Sequence, residues 1–303
     1  MIERYVHDQL VWIDLLNPTT EEIREVVKEC NLPLEFTSDL TTTTPRSEVL
    51  AKKGALKLTL DFPIVKRTDI NHPHEVKFIA TKKHFITIRF EDIEAIHRFS
   101  KEFEVSSLVK SAGKSASGAH VCLSLLDQMY RTMSMKLDYL ESKMNDAEEQ
   151  IFQGLEKEMV FEISNLSRRL VMFRQTLYAH DEALTELTDK VVVAFGKKYV
   201  PYVETLHQEY EHQVRRVGSL NDLLSDIRST NDSLVSTKQN EIMKTLTIMA
   251  FITFPLTLFT SMFGMNTVTT PLVGQKGDFW LILGIMVVVS IAFFAYFKYK
   301  RWM

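Results

Sequence analysis

Cysteine is nearly absent. The 303 residues hold two, Cys30 and Cys122, far apart in the chain. They form neither a CxxC pair nor a disulfide framework, so the part outside any membrane is expected to be reduced and intracellular. A charge excess of one sign is also missing. The formal net charge is −3, which argues against nucleic acid as a partner. The first residues, MIERYVHDQL, contain no apolar run, so no signal peptide is expected. Catalytic signatures are lacking as well. There is no HExxH and no Ser/His/Asp or Cys/His arrangement at usable spacing. Gly113-Lys114-Ser115 ends like a phosphate-binding loop, but position 108, where that loop needs its first glycine, is Leu. The stretch Ser111–Gly118 reads as a linker. No enzyme and no organic cofactor are expected. Short repeats and low-complexity tracts are missing too.

What is present is concentrated at the C-terminal end. The last sixty or so residues hold two uncharged apolar runs, Thr245–Phe263 and Phe279–Phe297. A helix of about 19 residues rises roughly 28 Å, close to the ~30 Å hydrocarbon core of a bilayer. Trp280 and Tyr296 lie near the ends of the second run, where aromatic belts form. Lys238 and Lys244 precede the first run; Lys298, Lys300 and Arg301 follow the second. The loop between them carries one Lys and one Asp. Positive charge at both outer ends predicts two membrane spans with both termini cytoplasmic. The expected location is the plasma membrane, the inner membrane in a bacterium.

The remaining chain divides by pattern. Residues 1–112 read as a cytoplasmic α/β domain. VWIDLL (Val11–Leu16) is a short apolar strand, and NPTTEEIREVVKEC follows as a helix. Thr19 or Thr20 is its N-cap, and Ile23, Val26, Val27 and Cys30 share one face. Leu32-Pro33 ends it and starts another short helix. Three further strands are predicted in ALKLTLDFPIV, EVKFIA and HFITIRF, then an amphipathic helix over Glu94–Val105. His72 and His74 flank Pro73 and read as a turn, not a metal site. Residues 113–240 are helical, with breaks near Gly154 and Phe195-Gly196. A third helix from about Tyr199 runs on into the first apolar run. From Pro201 to Phe263 it would be on the order of 95 Å long, a stalk shared between subunits. Residues 241–303 form the membrane region. Its first span is about 243–263, its loop 264–278, its second span about 279–297 and its basic tail 298–303.

The first span carries a stripe. At spacings of three and four stand Asn240, Met243, Thr247, Ala250, Phe254, Thr257, Ser261 and Gly264, six of the eight small or polar. In lipid such residues face other helices or water. The stripe is therefore either a packing seam or the lining of a water-filled pore. One chain with two spans cannot enclose a pore, so a pore needs a closed ring of copies. Met243 and Leu246 could form an apolar constriction that gates by excluding water.

The segment TKQNEIMKTLTIMAFITFPLTLFTSMFGMN, Thr237–Asn266, resembles the membrane signature of CorA-type magnesium transport channels. Gly-Met-Asn after the first of two C-terminal spans is that family's defining motif. WIDLLNPTTEEI, Trp12–Ile23, resembles the family's first strand and helix. The order of parts is similar over essentially the whole chain. The resemblance implies a funnel-shaped homopentamer: an α/β N-terminal cytoplasmic domain, long stalk helices and a two-helix transmembrane region. It implies a filter at Gly264, Met265 and Asn266, where the Asn ring holds a hydrated Mg²⁺ through its water shell. Mg²⁺ sheds water reluctantly, and a neutral amide can accept hydrogen bonds from that shell. It also implies a pore lined by Asn240, Met243, Leu246, Ala250 and Thr257, with Met243 and Leu246 as hydrophobic gate. Gly264 with Asn266 is equally a good helix C-cap.

The family closes when cytoplasmic Mg²⁺ binds carboxylates between subunits. Asp61, Glu204, Glu209 and Glu211 are the candidates here, though each reads first as a solvated or salt-bridged surface group. Mg²⁺ is thus expected as both cargo and regulator, with Co²⁺ or Ni²⁺ as further cargo. Two features depart from the family pattern. The loop after the motif has Asp278 as its one acidic residue, beside Lys276, and Ser229 stands where the cytoplasmic mouth is often acidic, with Asp226 and Asp232 nearby. Two other readings stay open: a zinc transporter of the ZntB branch, against which Met265 argues, and a non-conducting membrane-tethered coiled-coil scaffold or sensor.

Overall fold

The structure is a computed structural model that describes residues 1–44, 46–63, 73–108, 117–265 and 277–300. Its contacts group into two compact units, Met1–Arg228 and Ser229–Met303.

The first unit is built on a six-stranded sheet: β1 (Ile2–His7), β2 (Leu10–Leu16), β3 (Glu48–Lys52), β4 (Ala55–Phe62), β5 (His74–Thr81) and β6 (His84–Arg89). Their spatial order is β1-β2-β6-β5-β4-β3. Only β2 and β6 are parallel, with Ile13 opposite Ile86; the other pairs are antiparallel. Between β2 and β3 the chain forms α1 (Thr20–Glu29) and a 3-10 turn at Leu34–Phe36. These cover one face of the sheet. Ile23, Val26, Cys30, Leu32, Phe36 and Leu40 pack there against Ile13, Leu15, Ala55, Ile79, Ile86 and Ile88. The other face carries α2 (Glu94–Leu108), α3 (Gly118–Phe152) and α4 (Glu156–Phe195).

The stretch after the first turn shows why these residue types stand where they do. Trp12 is fully buried among Tyr5, Phe85, Phe99 and Phe103, with ring centroids 4.9–5.8 Å apart, and so fastens α2 to the sheet. Its Nε1 donates to Thr87 Oγ1 at 3.0 Å, and Thr87 donates to Asp14 Oδ1 at 2.5 Å. Arg89 completes the set, with Nη2 2.8 Å from Asp14 Oδ2. Asp14 and Arg89 are both buried, and each satisfies the other's charge across the parallel β2–β6 pair. Thr19 then caps α1 through a reciprocal capping box with Glu22, at 3.2 and 2.8 Å.

All four predicted strands are present. Two more, β1 and β3, are edge strands with exposed or half-buried charged residues. An edge strand needs fewer apolar positions, so its pattern is faint in sequence. The helix breaks fall as expected. Gly154 and Gly196 have φ of 94° and 89°, which L side chains rarely adopt. The Gly113-Lys114-Ser115 triplet lies outside the described residues. Gly118, at the end of that stretch, is the first residue of α3.

α5 (Val200–Phe263) is one continuous helix. Its residues to Arg228 belong to the first unit and the rest to the second. In the first unit Val203, Leu206, Tyr210, Gln213, Val217, Leu220, Leu224 and Ile227 are buried, the spacing of one helical face. Arg216 ties that stretch to α3, donating to Ser134 Oγ at 3.0 Å and Glu141 Oε2 at 2.9 Å and pairing with Asp138. The second unit contains the end of α5 and α6 (Asp278–Tyr299).

Candidate permeation path

The C-terminal part of α5 and all of α6 are long and apolar enough to cross a membrane, and almost none of their apolar windows is buried. A core helix of a soluble domain would be buried, so these two segments need an apolar surrounding. Over the apolar stretch of α5 most of the partly buried positions lie on one side, Thr247 and Ala250 being the exceptions. Ile248 is buried, and Ile252, Pro255, Leu256, Phe259 and Phe263 are half-buried. Ile248 lies beside Phe251, whose ring is 6.3 Å from Phe297 of α6, itself buried.

The predicted stripe lies on the other side. At about 100° per residue, Thr257 is roughly 180° round the helix from Ile248, and Leu246 and Ala250 are each roughly 160° away. Asn240, Met243, Leu246 and Thr257 are exposed and Ala250 is half-buried. Met243 and Leu246 are 57% and 59% exposed, so neither is spent on contact with α6. Met243, Leu246, Ala250 and Thr257 thus share a broad face turned away from Ile248, and Asn240, roughly 80° from Ile248, lies at its edge.

The backbone of this span is satisfied in a particular way. Pro255 has no N–H to offer the Phe251 carbonyl. The hydroxyls of Thr253 and Thr257 do not replace it. They donate to Met249 O at 2.8 Å and Thr253 O at 2.9 Å. Thr247 and Thr260 likewise donate to Met243 O at 2.7 Å and Thr257 O at 2.9 Å. Each hydroxyl oxygen keeps acceptor capacity, so this face can still hydrogen-bond to water. Gly264 ends the helix, with its N–H on Thr260 O at 2.9 Å. It is not in the left-handed conformation of a usual glycine cap. A Cβ there would lie 3.0 Å from the Thr260 carbonyl oxygen, tight enough that the neighbour would have to shift by a few tenths of an ångström. Met265 is 59% exposed. Asn266 lies outside the described residues, as does Lys276. Asp278 opens α6 and accepts from Phe279 N at 2.7 Å. Ser229, Asp226 and Asp232 are exposed on α5.

The four candidate regulatory carboxylates are not brought together. Asp61 is half-buried on β4, opposite Glu75 of β5. Burial, and then the Glu75 charge, raise its pKa above the usual carboxylate range. Glu204 is exposed on α5. Glu209 accepts from Gln213 Nε2 at 2.7 Å. Glu211 pairs with Arg215 at 3.2 Å and lies 3.7 Å from His207. Among the described residues no group of three His, Cys, Asp or Glu side chains is placed to hold a metal ion.

Sequence reading missed the buried charges on the α1 side of the sheet. Lys57 and Lys77 are almost fully buried. Lys57 pairs with Asp39, and Lys77 reaches Thr42 O at 2.5 Å and Glu75 Oε1 at 3.0 Å. Glu75 Oε2 accepts from Thr44 N at 2.6 Å. The signal was available: each lysine stands between two large apolar residues, Leu56 and Leu58 for Lys57, Val76 and Phe78 for Lys77. These pairs hold the segment 39–44 on the sheet.

Residues 7–301 match the family described as CorA-like Mg2+ transporter protein. The chain belongs to this family. The cobalt/magnesium transport protein CorA of Methanocaldococcus jannaschii is 25% identical over 298 residues, covering 97% of this chain and 92% of that protein. The CorA of Thermotoga maritima is 31% identical over 187 residues, 61% of this chain and 52% of that protein. Among solved structures, the complete CorA magnesium transporter from M. jannaschii superposes with a TM-score of 0.83 at 23% identity, over 100% of this chain and 95% of that one. The CorA fold therefore includes the sheet, the long helix and both apolar helices. The two apolar helices fit the spans of a membrane transporter, and the uncovered stripe on α5 becomes the surface to explain.

Proposed function

We propose that this protein is a subunit of a CorA-type divalent-cation channel that conducts hydrated Mg²⁺, with Co²⁺ or Ni²⁺ as further cargo. The carrying observation is the α5 face opposite Ile248. It carries small and polar residues beside the apolar Met243 and Leu246, α6 leaves it open, and it belongs to a member of the CorA-like family. A homopentamer closes five such faces into a path lined by Asn240, Met243, Leu246, Ala250 and Thr257. Met243 and Leu246 form its apolar gate. Gly264 and Met265 shape the outer turn, and the Asn266 amides accept hydrogen bonds from the water shell of the ion. Carboxylates at this point would hold the ion too tightly to release it. Both termini are cytoplasmic and the membrane is the inner one in a bacterium. Cytoplasmic Mg²⁺ closes the path by binding between subunits, with Asp61, Glu204, Glu209 and Glu211 as candidate ligands. Glu211 is the weakest of these, because its carboxylate is already engaged by Arg215.

The test is Mg²⁺ uptake into proteoliposomes loaded with a trapped Mg²⁺ dye, for wild type and Asn266→Ala side by side. Flux in the first and none in the second supports the filter. Equal flux in both, with the variant assembled normally, removes Asn266 from it. No Mg²⁺ flux in either, with Zn²⁺ flux in its place, would move the protein to zinc transport. No flux of any ion would leave the scaffold reading.

A further inference from the structure

His180 of α4 is wholly buried and lies outside everything assigned to the permeation path. Both ring nitrogens are used. Nε2 lies 2.5 Å from the backbone carbonyl oxygen of Asp61, 119 residues away in sequence. A carbonyl can only accept, so Nε2 carries the proton. Nδ1 is then the acceptor for the Tyr130 hydroxyl of α3, at 2.7 Å. Phe62 packs edge-on against both rings, at 5.3 and 6.2 Å. β4, α3 and α4 therefore meet at one imidazole.

A fourth element joins them. Tyr210 of α5 stands edge-on to Tyr130, with centroids 6.5 Å apart. Its hydroxyl donates to Asp181 Oδ1 at 3.2 Å, the residue next to His180. α5 continues from there without a break to Phe263. Apolar side chains alone would hold these elements together. The imidazole adds two directional bonds that fix how β4 lies relative to the tyrosine pair. The strand position it grips is Asp61, whose own carboxylate stands half-buried beside Glu75.

We propose that His180 is a positioning residue through which the state of the Asp61 carboxylate is passed from β4 to α5. A cation drawn to Asp61 shifts the strand at that point. The imidazole carries the shift to Tyr130, and the edge contact with Tyr210 delivers it to α5. This rests on the reading of the protein as a channel closed by cytoplasmic Mg²⁺.

The test uses the full chain. Tyr130→Phe removes the hydroxyl bonded to Nδ1 and keeps every ring contact; His180→Phe removes both imidazole bonds. Mg²⁺ uptake is measured against internal Mg²⁺ in proteoliposomes. Both variants should keep the maximal flux at low internal Mg²⁺ and need at least about fivefold more Mg²⁺ for half-closure, the low end of ordinary coupling between sites. Asp61→Asn should shift closure too, and adding His180→Phe to it should shift it no further. Closure curves that coincide with wild type, or single shifts that multiply in the double variant, would overturn the proposal. Amide hydrogen exchange of α5 over Leu206–Val217, titrated with Mg²⁺ in detergent, separates this from failure of the channel reading. Protection that rises with Mg²⁺ in wild type but not in Tyr130→Phe upholds the joint even in a protein that does not conduct. An identical response in both, or none in wild type, removes it.

Discussion

Gly118 sits so close to His84 that a Cβ on it would lie 2.3 Å from the His84 carbonyl oxygen, and equally 2.3 Å from that of Thr81. The first turn of α3 is pressed onto the β5–β6 turn, with backbone on both sides. Backbone cannot move aside as a flexible side chain can. Gly118→Ala is therefore expected to destabilise the first unit by about 3 kcal/mol or more, the upper end of over-packing costs. A thermal melt of the detergent-solubilised protein checks this. An unchanged midpoint would show that α3 starts elsewhere.

The Asp14–Arg89 pair gives a second expectation. Its two partners are buried and bonded to each other, to Thr87 and, from Arg89, to Asp92 at 2.9 Å. Removing Asp14 leaves the buried guanidinium with only the exposed Asp92 carboxylate to offset its charge. Asp14→Ala is expected to cost about 3–5 kcal/mol. Replacing Asp14 and Arg89 together by apolar residues of similar size should cost much less than the two single changes summed. Denaturant midpoints for the four proteins of the cycle decide it.

The parts legible in sequence were those set by local chemistry. Thr19 with Glu22, the glycine breaks at 154 and 196, and the two uncharged apolar runs each announce themselves within a few residues. So did the stripe on α5, because helical spacing alone puts Thr257 opposite Ile248. The edge strands β1 and β3 were not legible, since a strand open on one side can afford charge. The His180–Tyr130–Tyr210 joint was not legible either. Its members are 50 and 30 residues apart, and nothing local marks a histidine that is buried and doubly bonded. In sequence Gly118 reads as the end of a linker, because close approach to another strand leaves no trace in its neighbours.

The same histidine sets a pH dependence. Burial depresses the His180 pKa from about 6.5 to about 4. Between those values the unfolded chain binds a proton that the folded chain does not. Stability is thus full above about pH 6.5 and falls as pH drops toward 4. The total is about 3 kcal/mol for a shift of this size. Asp61 acts in the opposite sense: its raised pKa means that its ionisation works against folding as pH rises past the usual carboxylate value. The wild-type melting midpoint is expected to fall between pH 7.5 and 5 by more than that of His180→Phe. Parallel curves for the two proteins would contradict it.

Met243 and Leu246 offer the sharpest test of the path itself. Both are exposed on the face turned away from Ile248, so neither change should disturb the packing of α6. An apolar ring closes a narrow pore because water leaves it, and an ion cannot cross without water. A polar side chain at that level keeps water in place. Met243→Asp and Leu246→Asn are therefore expected to raise basal Mg²⁺ current severalfold, most clearly at high internal Mg²⁺, where the proposed regulation would shut the wild-type path. A charge placed instead at Phe251, which touches Phe297, should lower expression and open nothing. Single-channel or planar-bilayer recording reads the difference directly. If Met243→Asp and Leu246→Asn leave the closed-state current at the wild-type level, the constriction lies at other residues. The stripe would then serve as a seam between helices.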